Sequence, residues 1–186
     1  TQGIAINGSF SNSISGNQLP NSQPNIGLPP QQSLTQLEAL YVGYFGRAGD
    51  YDGISALNNN VLTQLTSGAT LNTAIDNISA YFAQSVANAP FNALANVPLS
   101  LSNPYQVALA GAFIKNVYQN AFSRSADSGE VSYWVNQLFS GQVSFSTLVP
   151  TIENRAAGVD QSTLFNKDVA ATYFTLASQS SVLNPS

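Results

Sequence analysis

The chain predicts an all-α fold of about seven helices, and three observations support that prediction. Apolar residues recur at helical spacing from Leu34 onward. No stretch between residues 33 and 178 alternates polar and apolar over the length of a strand. A glycine, or a Ser, Asp or Asn able to cap, marks most places where the helical spacing restarts.

Ser33 reads as the N-cap of the first helix, with Gln36 three residues on, followed by Leu34, Leu37, Leu40, Tyr41, Tyr44 and Phe45 on one broad apolar face. Gly46, Gly49 and Gly53 interrupt this helix around Arg47, Asp50 and Asp52. The stripe then resumes through Ile54, Leu57, Val61, Leu62 and Leu65 and stops at Gly68. Leu71, Ile75, Ile78, Tyr81, Phe82 and Val86 predict a third helix. Pro90, Pro98 and Pro104 among small residues read as a surface linker. Asn103 followed by Pro104 starts the next helix, because Asn caps while proline sits where its missing N–H would be unsatisfied anyway. That helix carries Val107, Leu109, Ala110, Phe113, Ile114, Val117 and Tyr118.

Asp127, Ser128, Gly129 and Glu130 form a capping box for a helix bearing Val131, Tyr133, Trp134, Val135 and Leu138, which Gly141 ends. In the segment from Ser144 to Ala157, Pro150 sits either in a first turn or at a kink. Asp160 reads as the cap of a last helix with Leu164, Phe165, Val169, Tyr173, Phe174 and Leu176, and the Ser- and Asn-rich end is expected to fray. The organisation expected is an extended arm over 1–32, a helical unit over 33–88, a linker over 89–103, a second unit over 104–178 and a tail over 179–186. Tyr118, Phe122, Arg124 and Asp127 repeat the spacing of Tyr41, Phe45, Arg47 and Asp50, for which internal duplication is the simplest account.

Composition excludes several kinds of chemistry. Charged residues make up 8% of the chain, against roughly a quarter in ordinary globular proteins, so Asn, Gln, Ser and Thr must form its polar surface. The cations are Arg47, Lys115, Arg124, Arg155 and Lys167, and they are too scattered to neutralise a run of phosphates. A net charge of -4 opposes nucleic acid further. No apolar run approaches the roughly 20 residues that span a bilayer, so membrane insertion is not expected. With no histidine and no cysteine, the usual serine or cysteine triad cannot be built, and the commonest zinc ligands are missing. The four glycines from Gly43 to Gly53 lack the lysine and the preceding strand of a phosphate loop.

The candidate constellations are few. Arg47 with Asp50, and Arg124 with Asp127, stand at one spacing across a short turn, and capping of the following helix explains both. Gly53, Gly129 and Trp134 complete this structural motif. Asp50 and Asp52 before Gly53 resemble a fragment of a calcium loop, but Val61 occupies the place of its closing Glu. Calcium is therefore the one ion to test, and no other cofactor is expected. Tyr133 and Trp134 suit either a core or a sugar-stacking platform. A hydrolase would need two facing carboxylates, whereas most of the carboxylates here sit at predicted helix starts. In the arm, Ile4, Ile6, Phe10 and Ile14 alternate loosely. The segment is either unstructured or an extended strand that pairs with a neighbouring subunit.

The pattern Tyr118, Phe122, Arg124, Asp127, Gly129, Tyr133, Trp134, Asn136, Gln137, Leu138, Ser140 and Gly141 resembles a helical domain of unknown function. That domain is found in bacterial surface-layer proteins and RTX-type secreted proteins, and is itself similar to the phycobilisome linker domain. A first copy matches at Leu40, Tyr41, Tyr44, Phe45, Gly46, Arg47, Asp50 and Gly53. It departs where Leu57 and Asn58 stand near the Tyr-Trp pair and where Asn59 and Asn60 are extra. The resemblance covers residues 35 to 178 and implies a protein secreted or displayed on the bacterial cell surface. The function expected is therefore non-enzymatic: a structural module that self-associates into a homo-oligomer or polymer. Its rival is a binding module for surface polysaccharide or lipopolysaccharide, using Tyr51 and Asn58 to Asn60.

Overall fold

The computed structural model describes residues 31–87, 90–95 and 97–183. Among them are seven α-helices and no strand: α1 (Gln31–Phe45), α2 (Tyr51–Thr66), α3 (Leu71–Ala87), α4 (Pro104–Phe122), α5 (Ser128–Phe139), α6 (Leu148–Asn154) and α7 (Gly158–Leu183), with a 3-10 turn at Phe91–Leu94. The all-α expectation holds. The arm and its residues Ile4, Ile6, Phe10 and Ile14 lie outside the described residues.

Helix α1 is the axis of the body, packing against α2, α3, α4, α6 and α7. Leu37 and Leu40 of α1, Ile114 and Val117 of α4, and Leu148, Val149 and Ile152 around α6 are almost wholly enclosed. Burial of such side chains supplies the main driving force for the fold, at roughly 1.5–3 kcal/mol each. A ring cluster knits the helices together: Phe82 meets Tyr41, Tyr44 and Phe45 edge-on, while Phe113 lies 4.9 Å from Phe145 and 5.0 Å from Phe91. Close approach of α1 to α6 depends on Gly43, where a Cβ would stand 2.3 Å from Glu153 Oε1 and 2.6 Å from Val149 Cγ1.

Several boundaries differ from expectation. Helix α1 starts at Gln31, so Ser33 is not a cap; it is buried in the first turn and its hydroxyl donates to Asn58 Oδ1 at 3.3 Å. Helix α7 starts at Gly158, which puts Asp160 in its first turn, where a carboxylate complements the helix dipole. That helix runs on to Leu183, past the point at which fraying was expected. The linker does not merely cross the surface: Leu94 is buried in the core. Gln106 ties this segment down, accepting from the Ser100 amide and donating to the carbonyls of Ala93 and Pro98. Pro150 lies in the first turn of α6.

Candidate functional site

The corner between α4 and α5 is built around one guanidinium. Helix α4 ends at Ser123, whose left-handed φ of 58° turns the chain, and its amide still reaches the Gln119 carbonyl at 3.1 Å. Arg124 follows. Its Nε and Nη2 donate to the two Asp160 oxygens at 2.8 and 2.5 Å. Nη1 and Nη2 donate to the two Glu130 oxygens at 2.8 and 2.6 Å, and Nη1 also reaches the Ser125 carbonyl. All five guanidinium hydrogens are thereby used. Bonding to Glu130 and Asp160 raises the Arg124 pKa above its ordinary value, and the same Arg124 bonds hold the Glu130 carboxyl below its own.

Asp127 caps α5, accepting the Glu130 amide at 2.8 Å while Glu130 accepts the Asp127 amide at 2.8 Å, a complete capping box. Arg124 lies 5.0 Å from the Tyr118 ring centre, and the Tyr118 hydroxyl accepts the Trp134 indole N–H at 2.9 Å. Trp134 is buried, and a Cβ at Gly129 would meet Asp127 Oδ1 at 3.2 Å.

The first corner follows the same plan with fewer partners. Gly46 has φ 67° and donates to the Val42 carbonyl at 2.8 Å; Asp50 caps α2 through the Gly53 amide at 2.8 Å. Arg47 lies 5.5 Å from the Tyr41 ring and donates to the Ala48 carbonyl at 3.0 Å. Gly53 stands where the second corner has Glu130, so Arg47 lacks that carboxylate partner. The Asp50 carboxylate is committed to its cap, and the described residues contain no group of three or more acidic side chains placed to hold a metal ion.

Beside the second corner lies an open groove of about 430 Å³, walled by Glu130, Tyr133, Trp134, Ile152, Arg155 and Asp160 among others. Its reactive groups already serve one another. Both acids hold Arg124, and Arg155 sits 5.6 Å from each of the Tyr133 and Trp134 ring centres while donating to the Tyr133 hydroxyl. The aromatic faces that a sugar would stack on are therefore shared with a cation. Asn58, a candidate polysaccharide contact, is buried, whereas Asn59 and Asn60 are exposed and Tyr51 is half-buried.

Residues 102–152 match the family model described as Domain of unknown function (DUF4214). The matched segment spans α4, α5 and most of α6, and it includes Arg124, Asp127, Glu130 and Trp134. The first corner, Asp160 and the whole of α7 lie outside it. Comparison with curated proteins and with solved structures found no match.

Outside the matched segment lies a feature that helix-start reasoning missed. Glu38 of α1 is fully enclosed; its carboxyl meets the Thr175 hydroxyl and accepts the Gly49 amide at 2.9 Å. Thr175 Oγ1 also lies 3.1 Å from the Gly49 carbonyl, and a single hydroxyl hydrogen cannot serve both. A protonated Glu38 donating to Thr175, with Thr175 donating to Gly49, satisfies every group. Burial indeed raises the Glu38 pKa. Burial, and next the neighbouring Glu38, push Asp168 up to about 7 against a smaller opposite pull from Lys167; burial, and then Asp168, raise Glu153 well above its usual range. Asp168 Oδ1 and Glu153 Oε1 are enclosed without a hydrogen-bond partner among the described residues. The sequence signal was the position of Glu38 at i+4 from Leu34 on the apolar face of α1, and of Asp168 between Leu164, Ala171 and Thr175 on one face of α7.

Helix α7 turns Asp168 and Thr175 inward beside Leu164 and Ala171, and leaves large apolar side chains outside: Phe165 is 64% exposed, Val169 51%, Tyr173 75%, Phe174 57% and Leu176 38%. A surface helix ordinarily keeps side chains of this size against its core.

Proposed function

We propose that this chain is a non-enzymatic building module that self-associates, in a protein secreted or displayed on the bacterial cell surface. The outer face of α7 is the observation on which the reading rests: contiguous exposed apolar residues mark an association surface. The corners add support, since Arg124, Glu130 and Asp160 are consumed in joining helices and leave no free acid–base pair in the groove. The secreted setting comes from the motif around Arg124 and Trp134 and its resemblance to domains of surface-layer and RTX-type proteins. We read the two corners as copies of one unit: Gly46 and Ser123 take the same left-handed turn, and Asp50 and Asp127 cap the same way.

Electron microscopy and sedimentation of the full chain, with and without calcium, test the reading. Ordered sheets, filaments or concentration-dependent association that Phe165→Ser and Tyr173→Ser weaken are expected. A chain that stays monomeric throughout and is retained on surface polysaccharide would replace assembly by glycan binding. Identical behaviour in calcium and in chelator would remove the ion from the account.

A further inference from the structure

Carboxyl groups from three helices meet inside the body. Glu38 of α1 and Asp168 of α7 are buried, and Glu153 of α6 has its Oε1 atom enclosed. Asp168 lies within electrostatic reach of both other acids. Asp168 Oδ1 and Glu153 Oε1 have no hydrogen-bond partner among the described residues, and the chain from Glu38 through Thr175 to the Gly49 carbonyl is complete only with Glu38 protonated. The titratable and charged groups that face these acids are Lys167 from α7, Tyr44 from α1 and Asp50 from the first corner. Helix α4 brings the Asn120 carbonyl, which takes the Lys167 ammonium, and α2 brings Tyr51 beside Thr175. Carboxylate charges here would be held away from water and beside one another, so the packing suits the neutral acids.

Helix α7 is also lightly anchored. Of its 26 residues, Leu164 and Ala171 supply the buried apolar side chains among the described residues. Its side-chain bonds to the body come from Asp160 on Arg124, Lys167 on Asn120, and Thr175 on Glu38 and Gly49. An element with so little apolar burial opens more readily than the core around it. The bidentate Asp160 pair stands about 12 Å along the helix from Asp168, and its bonds do not depend on the enclosed acids.

We propose that α7 from Lys167 onward is a pH-released latch: protonated Glu38, Glu153 and Asp168 keep it against α1, and their ionisation lets it swing away with the Arg124–Asp160 pair as the hinge. This goes beyond the assembly reading and does not need it. Burial raises all three acids above their ordinary range in the closed form, whereas in the open form they meet water and titrate near 4. Their contribution to closure is therefore fully present below the open-state value and is lost as pH rises through the closed one.

Hydrogen exchange of the full, dilute chain between pH 5 and 8, corrected for the intrinsic rate of exchange, tests the latch. The opening constant at the amides of residues 168–176 should rise by up to about tenfold per pH unit for each proton released, and that at Ile114 and Val117 of α4 should rise less. Asp168→Asn, which keeps the neutral shape, should lower opening of α7 at pH 8 by at least about tenfold and reduce its pH slope. Glu153→Gln should act in the same direction if the first variant does not fold. An opening constant that is flat with pH, a slope in α4 equal to that in α7, or a slope unchanged in both variants overturns the proposal. Protection of α7 that follows protein concentration and not pH would uphold association and overturn the latch. Protection that follows pH alone upholds the latch in a chain that never associates.

Discussion

Arg124 and Asp160, 36 residues apart, are joined by two parallel hydrogen bonds that pin the start of α7 to the corner between α4 and α5. Parallel bonding of this kind needs a planar fork, which lysine does not offer. Arg124→Ala should destabilise the fold by about 1–3 kcal/mol, the lower part of that range reflecting the partial exposure of the side chain. Arg124→Lys should recover little of the loss, and Arg47→Ala should cost less than about 1 kcal/mol. Denaturant unfolding of the three variants checks the order; equal costs for Arg47 and Arg124 would contradict the geometry.

Asp127 caps α5 in a reciprocal box, whereas Asp50 caps α2 alone. Asp127→Ala should cost about 1–2 kcal/mol and Asp50→Ala about 1 kcal/mol. Thermal melts of both give the comparison, and an unshifted midpoint for Asp127→Ala would refute the cap.

Buried acids give the stability a definite pH slope. Asp168 titrates at about 7 in the fold, and Glu38 and Glu153 are also raised. A raised carboxyl binds its proton more tightly folded than unfolded, so its contribution is fully present below the unfolded value near 4 and is lost as pH rises through the folded one. Glu130 is lowered and acts the other way, losing its contribution on acidification. Melting temperature should therefore rise as pH falls from about 8 toward 5, and fall again in stronger acid. Asp168→Asn should flatten the upper slope; a slope unchanged in this variant would show that Asp168 is not its source.

Two backbone positions separate sterics from conformation. Gly43→Ala drives a methyl into Glu153 Oε1 and Val149 and should cost about 1–3 kcal/mol. Ser123→Gly relieves a left-handed residue and should stabilise the fold by up to about 1 kcal/mol. Unfolding of both variants in urea provides the check, with opposite signs expected.

The corners were legible in the sequence because their physics is local. A cap needs an Asp and an amide three residues on, and a helix stop needs a glycine, so Asp50, Asp127, Gly68 and Gly141 could be placed by spacing alone. The cap assigned to Ser33 failed because the helix begins earlier and tertiary packing turns its hydroxyl toward Asn58.

The sequence by itself determined the helical class, the chain order of the elements, the capped corners and the exclusion of histidine and cysteine chemistry. Each of these depends on residue type and short spacing. Only the tertiary structure decided that Asp160 completes the shell of Arg124, that Glu38 meets Thr175 across the body, and that α7 leaves Phe165, Val169 and Tyr173 outward. Helical periodicity shows that a helix has two faces. Which face is buried depends on the neighbour, and α1 presents α7 with an enclosed carboxyl that the Thr175 hydroxyl can bond and the rings of Phe165 or Phe174 could not.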